Sequence, residues 1–316
     1  MSKTIEIPYT PRPLWRTVIH PALDKYRYAV LVCHRRFGKT VGVINHMIKN
    51  AIANNGQAPR YVYLAPYRNQ AKMIAWSYLK YYTSVIEGLK KPNESELYVE
   101  LPTKHKGLDG ARIYVVGADN PDALRGTYWD GAILDEYAQI KSELYGEVLV
   151  PALADHQGFA WFIGTPKGQN QFYEKYLEAQ KNPKWFSCLY RADETDVIPQ
   201  TDLETMIEQM TDIEARQELY CDFTASAFNV LINIDSVTKS CQRIRPNTST
   251  EPLIMGVDVA RFGDDRTTIW RRQGFTAYEP IILTKLDNME VASHIANQID
   301  VHHPKSVFVD VGAVGS

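Results

Sequence analysis

A lysine and a hydroxyl placed side by side after a glycine, as in Gly38-Lys39-Thr40, are the groups that hold a polyphosphate. In a loop of this kind the backbone N–H groups wrap a β-phosphate, and the helix that starts there adds the positive end of its dipole. Lys39 then reaches the β- and γ-phosphates, and the Thr40 hydroxyl ligates Mg²⁺. The loop would comprise Cys33, His34, Arg35, Arg36, Phe37, Gly38, Lys39 and Thr40. Cys33 stands where the usual pattern has its first glycine, so the match is incomplete. Arg35 and Arg36 make poor filler beside a tight turn but suit a triphosphate.

Asp135-Glu136 closes the apolar run Gly131–Asp135, which fits the second half of a nucleotide hydrolase. Asp135 would bind Mg²⁺, and Glu136 would polarise the attacking water. Thr165 follows a third apolar run and fits either a polar sensor of the γ-phosphate or an ordinary turn. Arg125, beside Gly126, fits an arginine finger that reaches a neighbouring subunit's nucleotide, or equally an ion pair with Asp130 or Asp119. Further on, Asp258 lies in a strand-like run where a carboxylate is costly to bury without a metal or partner, and Asp310 repeats the situation. Two such carboxylates on neighbouring strands can bridge two Mg²⁺ or Mn²⁺ ions for phosphodiester hydrolysis. Asp264 and Asp265 fit a hairpin turn or an outer shell, and His302-His303 a loop.

The surrounding elements must position these groups. Ala29–Val32 reads as a strand buried on both faces, followed by a helix with Ile44, Met47, Ile48, Ala51 and Ile52 on its apolar side and Asn54-Asn55-Gly56 as its stop. Arg60–Ala65 is a second strand, and Ala71 through Leu89 mark a long amphipathic helix whose aromatics suit a core better than a stacking platform. Glu96–Leu101 and Ala111–Gly117 read as strands joined by a loop whose tip, Lys104-His105-Lys106, suits either solvent or a DNA backbone. Gly131–Asp135 and Ala160–Gly164 are further strands, the latter followed by a helix from about Gln169 to Gln180. Alternation of this kind predicts a mostly parallel α/β sheet with ligand sites at strand C-terminal ends. Pro8–His20, just upstream, fits a base-gripping segment or a capping helix.

Thr201–Asp222 reads as helical, and Asn247–Pro252 as a polar linker. Beyond it, Leu253–Val259, Thr267–Arg271 and Tyr278–Leu283 form a meander. A helix with Val291, Ile295 and Ile299 on one face and a strand over Ser306–Val311 complete the chain. The expected domains are 1–200, a helical region 201–250, and 251–316.

Composition is that of a globular protein, 45% hydrophobic and 23% charged, and the formal net charge of -2 excludes a generally basic nucleic-acid coat. Any DNA contact must be local. The four cysteines form no CxxC pair, which argues against a zinc site or disulfide framework, and no signal-like or membrane-spanning run is visible. A cytoplasmic protein is expected.

Assembled, these residues resemble the large subunit of tailed-bacteriophage terminases. The resemblance rests on CHRRFGKT, YVYLAPYRNQAK, GADNPDALRGTYWDGAILDE, FIGTPKG, QELYCDF, GVDVARFGDDRT and FVDVGAVGS. It implies a P-loop ATPase of the additional-strand, catalytic-glutamate type, followed by an RNase H-like nuclease domain that looks truncated. The function implied is ATP-driven translocation of double-stranded viral DNA into a procapsid, with a metal-dependent endonuclease attached. The partners implied are the portal protein, a small terminase subunit and further copies in a ring, in the host cytoplasm. Carried over by motif, Arg35 or Arg36 senses the triphosphate, Glu136 activates water, Thr165 couples hydrolysis to movement, and Asp258 and Asp310 hold nuclease metals. Two departures stand out. Trp15 lies near the place of the family's adenine-binding glutamine, and the chain ends six residues beyond Asp310, before the family's third nuclease acid. The ATPase parts by themselves also suit a helicase-like or restriction-type translocase.

Overall fold

The computed structural model describes residues 6–102, 107–225, 234–243, 250–260 and 266–310. Lys104-His105-Lys106, Asp264, Asp265 and the last residues of the FVDVGAVGS motif fall outside them. The chain divides into two compact units, Met1–Asp235 and Ser236–Ser316.

The first unit is built on a seven-stranded sheet of β1 (Tyr28–Cys33), β2 (Arg60–Ala65), β3 (Tyr98–Glu100), β4 (Arg112–Gly117), β5 (Gly131–Asp135), β6 (Phe159–Gly164) and β7 (Trp185–Tyr190). Their spatial order is β3-β4-β2-β5-β6-β1-β7, and every pairing is parallel except β3 with β4. Strands covered on both faces carry near-continuous apolar runs, and successive side chains point to opposite faces. The two cores show this directly. Leu31, Ile133, Trp161 and Ile163 pack on one face with helix Lys39–Ala53 and the leading segment, while Val30, Leu134 and Phe162 pack on the other with helix Gln171–Lys181. The topology places β6 between β1 and β5, so three loops leave adjacent strand ends together.

Three details depart from the sequence reading. The amphipathic helix stops at Thr83 rather than running to Leu89, because the Thr83 and Ser84 hydroxyls bond back to the carbonyls of Leu79 and Tyr81, and the chain then turns through Gly88 at φ 77°. The strand expected over Glu96–Leu101 shortens to Tyr98–Glu100, since Leu97 adopts φ 56°. β7, WFSCLY, was not expected from the sequence. It pairs with β1 along its whole length, from Tyr28↔Trp185 to Cys33↔Tyr190. Of the helical aromatics, Trp76 and Tyr82 are buried, whereas Tyr78 and Tyr81 face solvent.

The second unit is a smaller sheet of β8 (Leu253–Asp258), β9 (Arg266–Gln273), β10 (Thr276–Ala277), β11 (Ile281–Thr284) and β12 (Ser306–Asp310). β9 runs antiparallel to β8, β10 and β11, and β12 lies parallel to β8. Helix Asn288–His302 is capped by Asp287, with Glu290 bonding back in a capping box, and His303 ends it in a left-handed conformation. Met255, Val257, Ile269 and Val307 form the small core.

Candidate nucleotide-binding site

The loop after β1 is held as a turn by backbone hydrogen bonds, two of them to segments far along the chain. The His34, Arg35 and Phe37 N–H groups donate to the carbonyls of Tyr190, Glu218 and His34, and Arg36 and Gly38 take left-handed φ values of 67° and 93°. For Gly38 that geometry is free of strain; for Arg36 it costs free energy that the surrounding bonds must offset. Arg12 closes over this turn by donating to the Arg36 carbonyl at 2.6 Å. Helix Lys39–Ala53 then starts at Gly38, and its first-turn N–H groups and dipole face the loop. Lys39 Nζ lies 2.7 Å from the Cys33 carbonyl and 3.2 Å from that of His34, coiled within the turn it would share with a phosphate.

Three side chains of the expected loop, those of Cys33, His34 and Phe37, are buried in the protein. Cys33 is fully buried at the end of β1, and burial pushes its thiol well up. Phe37 is buried and stacks on Tyr190. His34 is fully buried, its Nδ1 2.7 Å from the Arg35 carbonyl and its Nε2 2.8 Å from the Thr195 hydroxyl. A carbonyl only accepts, so Nδ1 carries the proton and Thr195 donates to Nε2. These residues shape the loop. Arg35 and Arg36 are exposed.

Across β6, the Asp135 carboxylate is buried and receives three donors. They are the Tyr63 hydroxyl, the Glu136 N–H at 2.9 Å and, more loosely, the Thr40 hydroxyl at 3.4 Å. Burial pushes the Asp135 carboxyl up, and these hydrogen bonds together with the Lys39 charge oppose the rise. Glu136 is half-buried with φ 51°. Its carboxyl is pushed up to about 7, chiefly by burial and next by the Asp135 charge. A carboxylate with that value is a proton acceptor poised for neutral pH. Thr165, 2% exposed, leaves β6 between these two groups.

The site thus joins a phosphate-type loop after β1, Thr165 after β6, and a buried acid and a basic carboxylate at the end of β5, on three adjacent strand ends. Residues 33–237 match the family model for the terminase large subunit, T4likevirus-type, N-terminal region. This chain belongs to the terminase large subunit family. The large terminase subunit of Thermus virus P23-45 is 34% identical over 136 residues, covering 37% of this chain. The chain spans 27% of that relative's length in the match. Among solved structures, a mutant of the large terminase ATPase domain of Thermus phage P74-26 aligns with a TM-score of 0.57 at 25% identity, over 69% of this chain and 96% of that one. The large terminase of a thermophilic bacteriophage in complex with ADP aligns with a TM-score of 0.54 at 16% identity, over 95% of this chain and 75% of that one, a likeness of fold.

With the family in view, the other expected residues fall into two groups. Arg125 is exposed and lies 3.9 Å from Glu147, whereas Asp130 is engaged by Asn54, the Arg60 N–H and His156. Trp15 is 1% exposed and packed against Gly42 of the loop helix, where an added Cβ would come within 2.5 Å of its ring. It is therefore a core residue that seats the leading segment, with no face open to a base. Arg12, Pro13 and Leu14 of that segment instead line a cavity of about 400 Å³ with Phe37, Thr195, Asp196 and Val197. Thr195 and Arg12 were not picked out from the sequence. A polar residue in a connecting segment carries no local mark until the fold brings it to the loop.

In the second unit, Asp258 and Asp310 are direct register partners on β8 and β12. Both are exposed, which corrects the expectation of carboxylates held in a strand interior. Among the described residues no group of three or more His, Cys, Asp or Glu is placed to hold a metal ion. No helix among the described residues is long and apolar enough to cross a membrane.

Proposed function

We propose that the first unit is the ATP-hydrolysing motor of a phage DNA-packaging machine. The observation that carries this reading is the meeting of Thr40 with Asp135 across β6, with Lys39 and Glu136 beside them. Lys39 and the turn at Gly38 bind the phosphates, and Arg35 and Arg36, exposed on the loop, sense the γ-phosphate. Thr40 and Asp135 offer a hydroxyl and a carboxylate, a hard all-oxygen donor set suited to Mg²⁺. When bound there, Mg²⁺ supplies charge neutralisation for the transferring phosphoryl group. Glu136 accepts the proton of the attacking water, and Thr165, between the two half-sites, links their movement. Arg125, exposed on its loop, serves as a finger toward a neighbouring copy's nucleotide. The cavity walled by Arg12, Phe37 and Val197 takes the base, in place of the glutamine that Trp15 displaces.

Double-stranded viral DNA is the translocated substrate, with the portal protein, a small terminase subunit and further copies of this chain in a ring as partners, in the host cytoplasm and at the procapsid portal. The assignment of 1–200 as motor, 201–250 as helical region and 251–316 as the start of an RNase H-like nuclease belongs to the same reading. Steady-state ATP hydrolysis tests it. Lys39→Ala and Glu136→Gln should each abolish turnover, and wild-type rates in both variants would remove the motor assignment.

For the second unit, the pairing of Asp258 with Asp310 supports a Mg²⁺ or Mn²⁺ nuclease centre that includes these two carboxylates. A two-metal site needs more oxygen ligands than these two supply. Plasmid cleavage by this chain in Mn²⁺ should therefore stay at trace level. Robust cutting that disappears in Asp258→Ala would overturn that expectation.

A further inference from the structure

Tyr63 sits in the middle of β2, fully buried, with the apolar Val62, Leu64 and Ala65 beside it on the strand. A phenol hydroxyl in such a place must find a partner. It finds Asp135, to which it donates a hydrogen bond. The Thr40 hydroxyl approaches the same oxygen, Asp135 Oδ2, at 3.4 Å. The two groups that would face a metal thus share this oxygen with a third donor, the buried Tyr63 phenol. β2 lies directly beside β5 in the sheet, Tyr63 being the register partner of Ile133, so the hydroxyl is carried on a rigid strand rather than on a loop. Tyr61, two residues earlier on the same strand and also buried, accepts from Asn54 outside this cluster.

We infer that Tyr63 is a positioning residue for the divalent cation: it orients Asp135 and thereby sets how tightly Mg²⁺ joins the bound nucleotide. The inference rests on the nucleotide-binding reading above. A hydrogen bond from a buried donor fixes the rotamer of a carboxylate and helps keep it ionised in a low-dielectric site. Without that bond the oxygen swings and competes for a proton. Partners of this kind commonly carry a factor of about ten to a hundred in metal affinity.

The test is the binding of a fluorescent ADP analogue to the full chain in EDTA and across a Mg²⁺ titration, for wild type, Tyr63→Phe and Tyr61→Phe. Replacing tyrosine by phenylalanine keeps the ring and the strand packing. Tyr63→Phe should raise the half-saturating Mg²⁺ concentration about tenfold or more. It should leave the EDTA affinity within about twofold, and Tyr61→Phe should follow wild type in both. An unchanged Mg²⁺ titration in Tyr63→Phe overturns the inference while leaving the nucleotide reading intact. Equal losses in EDTA and Mg²⁺, or the same Mg²⁺ shift in Tyr61→Phe, overturn it too, since both mark general damage to β2. A wild-type protein that binds no nucleotide, or whose binding ignores Mg²⁺, removes the underlying reading and the inference with it.

Discussion

Asp135-Glu136 and the pair Asp258–Asp310 make an instructive contrast, because each lies at the C-terminal end of parallel strands and each was read from the sequence as a place for a divalent cation. The first is buried, receives several donors and has its carboxyls pushed up. The second is exposed to solvent on a five-stranded sheet with a small core. Burial is costly for a charge, so a buried carboxylate that persists has been surrounded by groups that stabilise it, and that surrounding is the preorganisation catalysis needs. An exposed pair in register marks a direction for chemistry without supplying the environment.

The strongest way to break this contrast is catalytic. Lys39→Ala and Glu136→Gln should each lower ATP turnover by about a hundredfold or more, while Asp258→Ala leaves it within about twofold. Loss of turnover in Asp258→Ala would show that the two regions are not separable.

Next in size is acid stability. His20 and His46 face each other with Nδ1 atoms 2.8 Å apart, and burial lowers each to about 4. The groups around them are Tyr9, 3.0 Å from His20, and Asp24, which lies 3.2 Å from His46 without hydrogen-bond alignment and is paired with Lys49 at 2.6 Å. Because the folded values lie below the ordinary one, the unfolded chain takes up protons first as pH falls below about 6.5. The first unit should then lose stability between about 6.5 and 4, on the order of a few kcal/mol. Denaturant midpoints equal at pH 7 and pH 5 would contradict this.

Packing gives a smaller effect. Gly42→Ala drives a methyl into the Trp15 ring and should cost about 1–3 kcal/mol, whereas Gly256→Ala on β8 meets open space and should stay within about 0.5 kcal/mol. Thermal unfolding of the two variants reads the difference. The mildest change is the pH profile. With Glu136 at about 7, its base form is lost as pH falls through that value, so turnover at pH 6 should be about tenfold below the alkaline plateau. A flat profile from pH 6 to 8 would remove Glu136 as the base.

Much of this molecule could be read from its chain. β2 and β5 begin and end where their apolar runs do, and the glycine–lysine–threonine turn lies where a buried strand meets a helix. These features are local, set by burial on both faces and by the backbone geometry that Gly38 permits. What escaped is non-local. β7 has the aromatics of a strand but no turn signal that names β1 as its neighbour. Trp15 reads as a departure from the family's adenine-binding glutamine, and only the fold shows its ring packed on Gly42; Asp258 reads as costly to bury until the sheet leaves it in water. Tyr63 lies inside YVYLAPYRNQAK with no chemistry of its own read there, and its meaning appears when β5 is laid beside β2.

The sequence by itself determined which atoms could meet a phosphate or a metal, because side-chain chemistry and strand-end spacing are written along the chain. The tertiary structure decided which of those atoms are desolvated and held. That outcome depends on strand order and on residues far away in the chain, and desolvation converts an ordinary aspartate and glutamate into a site.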